Sequence, residues 1–323
     1  MPDRLPHFVI AGAPKAGPTA LHAALATHPQ LYLSPVKEPK FYLTDGRPPL
    51  RGGHRGPGDA HSAQEWIWRR AEYLALFDEA PDGTVRGEST PFYLHDRSAH
   101  RRLVSDVPDV KVIVVVRDPV DRAYSNWAHL RADGLEPEAD FAAALRAEQQ
   151  RIDDGWAPFW HYRDLGRYGG QLQDLYRQVP RKRVLLLRYR ELVDAPRGTL
   201  DRVSDFLGVA TGLAHAVAPE NVKPFVADTA RYRLLSRVAR TGAALGAYAP
   251  PQVWRQASRP LTAALQAGRA PRPALPVEVR REALAPLLAD MALLEEVTGE
   301  SFLDWKGDAG RGDFRSRQVP AVP

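Results

Sequence analysis

The amino-acid sequence predicts an α/β fold in three layers: a central, mainly parallel sheet flanked by helices, with an irregular helical C-terminal portion. Three observations support this. Short apolar runs recur at 7–12 (HFVIAG), 110–116 (VKVIVVV) and 183–189 (RVLLLRY), each of the length of a buried strand. Each is followed, within a few residues, by a stretch with helical apolar spacing. Such alternation implies crossover connections, parallel pairing, and ligands at the carboxyl ends of the strands.

The elements follow in order. HFVIAG runs into a turn at Gly12, and TALHAALATHP is helical until Pro29 stops it. Residues 44–62, TDGRPPLRGGHRGPGDAHS, are too rich in Gly, Pro, Arg and His for regular structure; they read as a mobile insertion or as a cover over a pocket. Pro119 opens a helix through DRAYSNWAHLRADG that ends near Gly134, and TLDRVSDFLG is helical after the third strand. Residues 209–275 form a mostly helical lobe broken at APEN, YAPPQ and RAPRPALP. The 323 residues, 44% hydrophobic, are enough for one large core. A single domain is expected over 1–305, with a frayed tail at 306–323 that lacks apolar periodicity.

Composition excludes several kinds of chemistry. Without cysteine there is no disulfide, thiolate metal site or cysteine nucleophile. The ten histidines show no metal-ligand spacing, so no metal is expected. The N-terminus lacks the apolar core of a secretory signal and no segment reaches membrane-spanning length, so the expected location is cytoplasmic, with no membrane partner. A net charge of +5 suits an anionic ligand, but acidic and basic residues are interspersed and no aromatic platform accompanies them; a nucleic-acid partner is not expected.

The stretch AGAPKAGPTAL, residues 11–21, joins the first strand to the first helix. A glycine-containing turn there aims backbone N–H groups at one point, the helix N-terminus adds positive potential, and Lys15 adds a mobile charge. No GK[ST] follows, which disfavours a kinase or nucleotide triphosphatase. The competing reading is a plain connection with a solvated lysine. In VIVVVRDPVDRAYSNW, Arg117 leaves the second strand with a fork of donors suited to a phosphate, and Ser125, eight residues on, can donate to the same group. The competing readings are an Arg117 salt bridge to Asp118 or Asp121, and an ordinary helix serine. Two anion sites together imply a bisphosphorylated nucleotide.

GAPKAGPTAL and the Arg117–Ser125 pair resemble the two signatures of sulfotransferases that use 3′-phosphoadenosine 5′-phosphosulfate (PAPS), the first usually written P-K-[SAG]-G-[TS]-[TS]. RVLLLRYREL, FLGV and RYGGQLQDLY extend the resemblance over residues 7 to about 210, and more loosely to 305. The resemblance implies a P-loop-like fold, PAPS as sulfuryl donor with the bisphosphate PAP as product, and no metal requirement. It implies donor binding by Lys15, Ala16, Gly17, Thr19, Ala20, Arg117 and Ser125, with Tyr189 near the adenine. Lys223 or Arg231, in NVKPFVADTARYR, would meet the 3′-phosphate. Pro18 departs from the pattern, where Thr or Ser supplies a hydroxyl and an N–H. The first turn of a helix tolerates proline, so the loop should fold and bind more weakly.

Sulfuryl transfer needs an in-line geometry and charge compensation at the leaving phosphate, a role that suits Lys15. Glu38 in SPVKEPKFY resembles the family's glutamate base, with Lys37 and Lys40 nearby to favour its charged form. The competing reading is a surface glutamate paired with those lysines. Glu88 in GESTPFYL resembles a segment between donor and acceptor, as a second base or an orienting group. Ser89 stands where glycosaminoglycan enzymes often carry lysine, which weakens the case for a sugar-polymer acceptor; helix or turn capping is the plainer reading of both residues. A lone His95 is more often structural. GWAPFWHYRDLGRY, residues 155–168, walls an acceptor pocket or fills the core. The expected reaction moves a sulfuryl group from PAPS to a hydroxyl, secondarily an amine, of a small-molecule natural product or glycan. A homodimer is left open, and the rivals are a degenerate nucleotide-binding protein and, further off, a kinase or NTPase.

Overall fold

The computed structural model describes residues 4–49, 53–60, 66–216, 223–246, 248 and 251–307. Its centre is a five-stranded parallel sheet in the order β2-β3-β1-β4-β5, formed by β1 (Phe8–Gly12), β2 (Leu31–Leu33), β3 (Val85–Ser89), β4 (Lys111–Val116) and β5 (Val184–Arg188). Phe8 of β1 lies opposite Gly87 on one side and Lys111 on the other, so β1 is flanked on both sides. The chain leaves β1 for β2 and β3, then crosses to β4 on the far side. The loop after β1 therefore sits at the switch point of the sheet, where α/β folds bind ligands.

The apolar runs at β1, β4 and β5 are the three strands that the sequence predicts. β2 and β3 complete the sheet without such runs. β2 is only three residues long, and β3 reads VRGES, which lacks both an apolar run and clean alternation. Gly87 has a packing reason: a Cβ there would lie 2.2 Å from the Phe8 ring.

The helices are α1 (Pro18–Leu25), α2 (Arg70–Ala75), α3 (Arg97–Asp106), α4 (Pro119–Ala132), α5 (Phe141–Arg146), α6 (Glu148–Asp153), α7 (Tyr168–Tyr176), α8 (Tyr189–Asp194) and α9 (Pro196–Leu207). α10 (Ala230–Gly246) and α11 (Pro251–Gln266) then form a hairpin beside a two-stranded ribbon, β6 (Phe225–Val226) and β7 (Arg269–Ala270). α12 (Val277–Leu284) and α13 (Leu288–Thr298) return to the main core. There the Asp290 carboxylate accepts the N–H groups of Gly169 and Gly170, both at 2.9 Å. Buried Arg280 pairs with Asp118 and, at 3.2 Å, with Asp121, which fastens α12 to the start of α4. Most of the expected tail, 308–323, lies outside the described residues. Among the described residues no helix is long and apolar enough to cross a membrane.

Candidate active site

The loop after β1 is shaped by two left-handed residues, Lys15 (φ 66°) and Gly17 (φ 95°). Ala16 turns its N–H back to the Ala13 carbonyl at 3.1 Å, so it supplies the turn and no free donor. Pro18 is the first residue of α1, where its missing N–H leaves the helix intact. No side chain caps the helix, and its first i→i−4 bond runs from Leu21 N–H to Gly17 O at 3.1 Å. The N–H groups of Thr19 and Ala20 precede that bond and point out of the helix start, an arrangement suited to an anion.

Gly17 meets a second requirement. A Cβ there would lie 2.9 Å from Tyr189 Cδ2, so the ring of Tyr189, the first residue of α8, rests directly on the loop. The Arg117 guanidinium stacks over the same ring at 4.8 Å. Arg117 is buried at the end of β4, with Nη1 3.5 Å from the Lys15 carbonyl and Nε without a hydrogen-bond partner. It makes no salt bridge to Asp118 or Asp121, because Asp118 caps α4 and both carboxylates pair with Arg280. An anion is the partner that its fork fits. Ser125 is half-buried on α4. Below the loop, fully buried Arg122 donates to the carbonyls of Tyr162, at 2.5 Å, and Pro14, at 3.5 Å.

The cations converge. Lys15 Nζ lies 3.0 Å from His129 Nδ1, His129 Nε2 is 3.8 Å from Asp133, and Lys223 pairs with the same Asp133 carboxylate. Burial first, and then the positive charges of Lys223, Arg117 and Arg272, lower the Lys15 pKa to about 7. The structure thus brings Lys15, Arg117 and Lys223 near one another, with His129 and Arg272 beside them. His129 was legible as the residue one turn beyond Ser125 on α4. Arg272 follows β7 in a loop with no motif.

The two glutamates differ sharply. Glu38 (φ 61°) donates its N–H to Ser89 O at 2.9 Å, which ties its loop to the end of β3. Its carboxylate is 28% exposed and 2.5 Å from Lys37 Nζ. Lys40 is buried beside Asp59 at 3.7 Å, with Nζ over the Trp66 ring. Glu88 is wholly buried and accepts hydroxyls from Tyr93 at 2.7 Å, Thr90 at 2.8 Å and Tyr73 at 3.1 Å. Burial raises its pKa to about 7 against the opposing effect of those three bonds. Neither Glu88 nor Ser89 caps a helix, since both are strand residues.

The remaining expectations resolve as follows. His95 pairs with Asp164 at 2.7 Å. Phe159, Trp160 and Tyr162 are buried in the core, although the Phe159 ring touches the His129 ring edge-on at 5.7 Å. Within 44–62, residues 53–60 dock on the aromatic segment: Arg55 N–H donates to Gly155 O at 3.0 Å and Gly56 packs on the Trp156 ring. Residues 50–52 and 61–62 lie outside the described residues. No group of three or more metal-ligating side chains occurs among the described residues.

A parallel sheet whose switch-point loop offers helix-start amides and a lysine, with a buried arginine at the next strand end, is an arrangement suited to anionic groups. The family model described as Sulfotransferase family matches residues 6–212, and the chain belongs to that family. It is 31% identical over 206 residues to human heparan sulfate glucosamine 3-O-sulfotransferase 6, covering 64% of this chain and 53% of that protein. It is 30% identical over 217 residues to the mouse bifunctional heparan sulfate N-deacetylase/N-sulfotransferase 3, covering 64% and 23%. The chain thus spans about half the length of the first of these relatives. A solved sulfotransferase from Alicyclobacillus acidocaldarius superposes with a TM-score of 0.70 at 25% identity, covering 94% of this chain and 99% of that one.

Proposed function

We propose that the chain is a PAPS-dependent sulfotransferase that moves the sulfuryl group to a hydroxyl, secondarily an amine, of a small-molecule natural product or glycan. The observation that carries this reading is the meeting of Lys15, Arg117 and the first-turn amides of α1 around one loop. The residues fit a bisphosphorylated nucleotide: Thr19, Ala20 and Lys15 face the 5′ side, while Arg117, with its orphaned Nε, and Ser125 grip the 3′-phosphate. Tyr189 sits between the two groups, and Lys223 and Arg272 add positive potential. Residues 1–305 act as one domain in this reading.

When bound, PAPS supplies the activated sulfuryl group. Lys15 would offset the negative charge that transfer leaves on the 5′-phosphate, and its low pKa would let an arriving anion draw a proton onto it. Glu38 takes the acceptor proton, because its carboxylate is accessible while that of Glu88 is sealed under three hydroxyls. Glu88 positions the loop: it accepts Tyr93 OH, whose oxygen in turn accepts the Tyr42 N–H at 3.2 Å, within the segment that carries Glu38.

Pro18 favours a second reading, a nucleotide-binding protein without turnover, since it removes two donors from the loop. Incubation with PAPS and a panel of phenols, alcohols, amines and oligosaccharides, read by mass spectrometry, separates the two. A sulfated product that disappears in Glu38→Gln, with PAP affinity retained, supports transfer. PAP binding without a product from any acceptor class supports the second reading.

A further inference from the structure

Charge is interspersed along most of the chain, but one segment breaks the pattern: every charged residue between Thr229 and Val277 is an arginine. This segment contains the α10–α11 hairpin. One face of α10 is covered, with Tyr232, Ser236, Ala239 and Ala243 buried and Tyr232 OH donating to the Arg131 carbonyl at 2.6 Å. The opposite face is also apolar. Leu234, Val238 and Leu245 fall on one stripe of the helix and are 63%, 55% and 72% exposed. Tyr248, just past α10, and Val253 of α11 are also well exposed. Arg231 and Arg237, both exposed, flank the stripe on either side. The two helices pack closely at Gly242, where a Cβ would stand 2.6 Å from the Trp254 ring.

Single exposed apolar side chains are ordinary, but a stripe of three interrupted only by Thr241 and bordered by arginines is the pattern of a helix lying in a lipid interface. A polyanion in water would be met by the arginines alone and would leave the leucines wet. Arg272, just past β7 at the base of the hairpin, adds to the positive charge acting on Lys15, so the same lobe that carries this face also reaches the Lys15 loop. We propose that the outer face of α10 docks on an anionic bilayer surface, with the leucines among the acyl chains and the arginines at the headgroups. Docking there sets the site beside acceptors displayed at the membrane surface.

The test is co-sedimentation of the full chain with vesicles of phosphatidylcholine alone or mixed with phosphatidylglycerol, at low and high salt. Binding to the anionic vesicles is expected, weakened by salt and lowered roughly fivefold by Arg231→Gln. The combined Leu234→Gln, Val238→Gln and Leu245→Gln variant, altered only at exposed positions, should lose vesicle binding while keeping its Tm and PAP affinity. Three results overturn the proposal: no binding to anionic vesicles, equal binding by the triple variant, or a wild-type dimer by light scattering that the triple variant splits. The vesicle readout does not depend on transferase activity, so it fails or succeeds separately from the donor reading.

Discussion

Lys15 Nζ and His129 Nδ1 lie 3.0 Å apart, joining the phosphate-type loop to the helix that carries Ser125. This contact holds a lysine whose pKa has fallen from 10.5 to about 7 through burial and its cationic neighbours. An anion reverses that pressure, so PAP binding should draw a proton onto Lys15. Calorimetry between about pH 7 and 9, where the phosphates are fully ionised, should show net proton uptake, with affinity falling up to about tenfold per pH unit. Lys15→Met should abolish the uptake; uptake that survives the substitution would contradict the assignment.

The same lysine predicts a stability change of definite sign. Its folded pKa lies below the unfolded value, so the buried charge costs stability fully below about pH 7 and fades as pH rises towards 10.5. Ligand-free Lys15→Met should therefore have a higher Tm than wild type at pH 6, and the difference should shrink by pH 9.

Pro18→Thr restores an N–H and a hydroxyl at the first position of α1. At about 1 kcal/mol for each hydrogen bond regained, PAP affinity should rise roughly fivefold to thirtyfold. Unchanged affinity would mean that the nucleotide does not approach the start of α1.

The two glutamates should separate in kinetics and in pH dependence. Glu38→Gln should cost on the order of a hundredfold or more in kcat, the scale of a lost general base. Glu88→Gln, at a buried positioning residue, should retain activity within about tenfold while changing the stability profile. Glu88 has a folded pKa of about 7, above the ordinary 4.5, so its contribution is greatest at low pH and lost as pH rises from 4.5 through 7. The Tm cost of Glu88→Gln should thus be larger at pH 5 than at pH 8.

What the sequence shows and what it hides divide along physical lines. Continuous apolar runs expose β1, β4 and β5, and the glycine-lysine loop exposes the turn from β1 into α1, because both patterns are local. Val85–Ser89 gives no strand signal because it mixes polar and apolar positions without alternation, its buried Glu88 being satisfied by the hydroxyls of Tyr73, Thr90 and Tyr93. Lys40 sits two residues from Glu38 yet turns away to Asp59 and Trp66, a direction set by its own left-handed backbone and by the packing of a different loop. Arg272 joins the site across a large sequence separation that no motif spans.

The central claim is a two-anion donor site, and titration of the magnesium-free protein with PAP, alongside ATP, tests it most directly. The account predicts PAP binding in preference to ATP, weakened by both Lys15→Ala and Arg117→Ala. No PAP binding, a preference for ATP, or affinity indifferent to either substitution would contradict it.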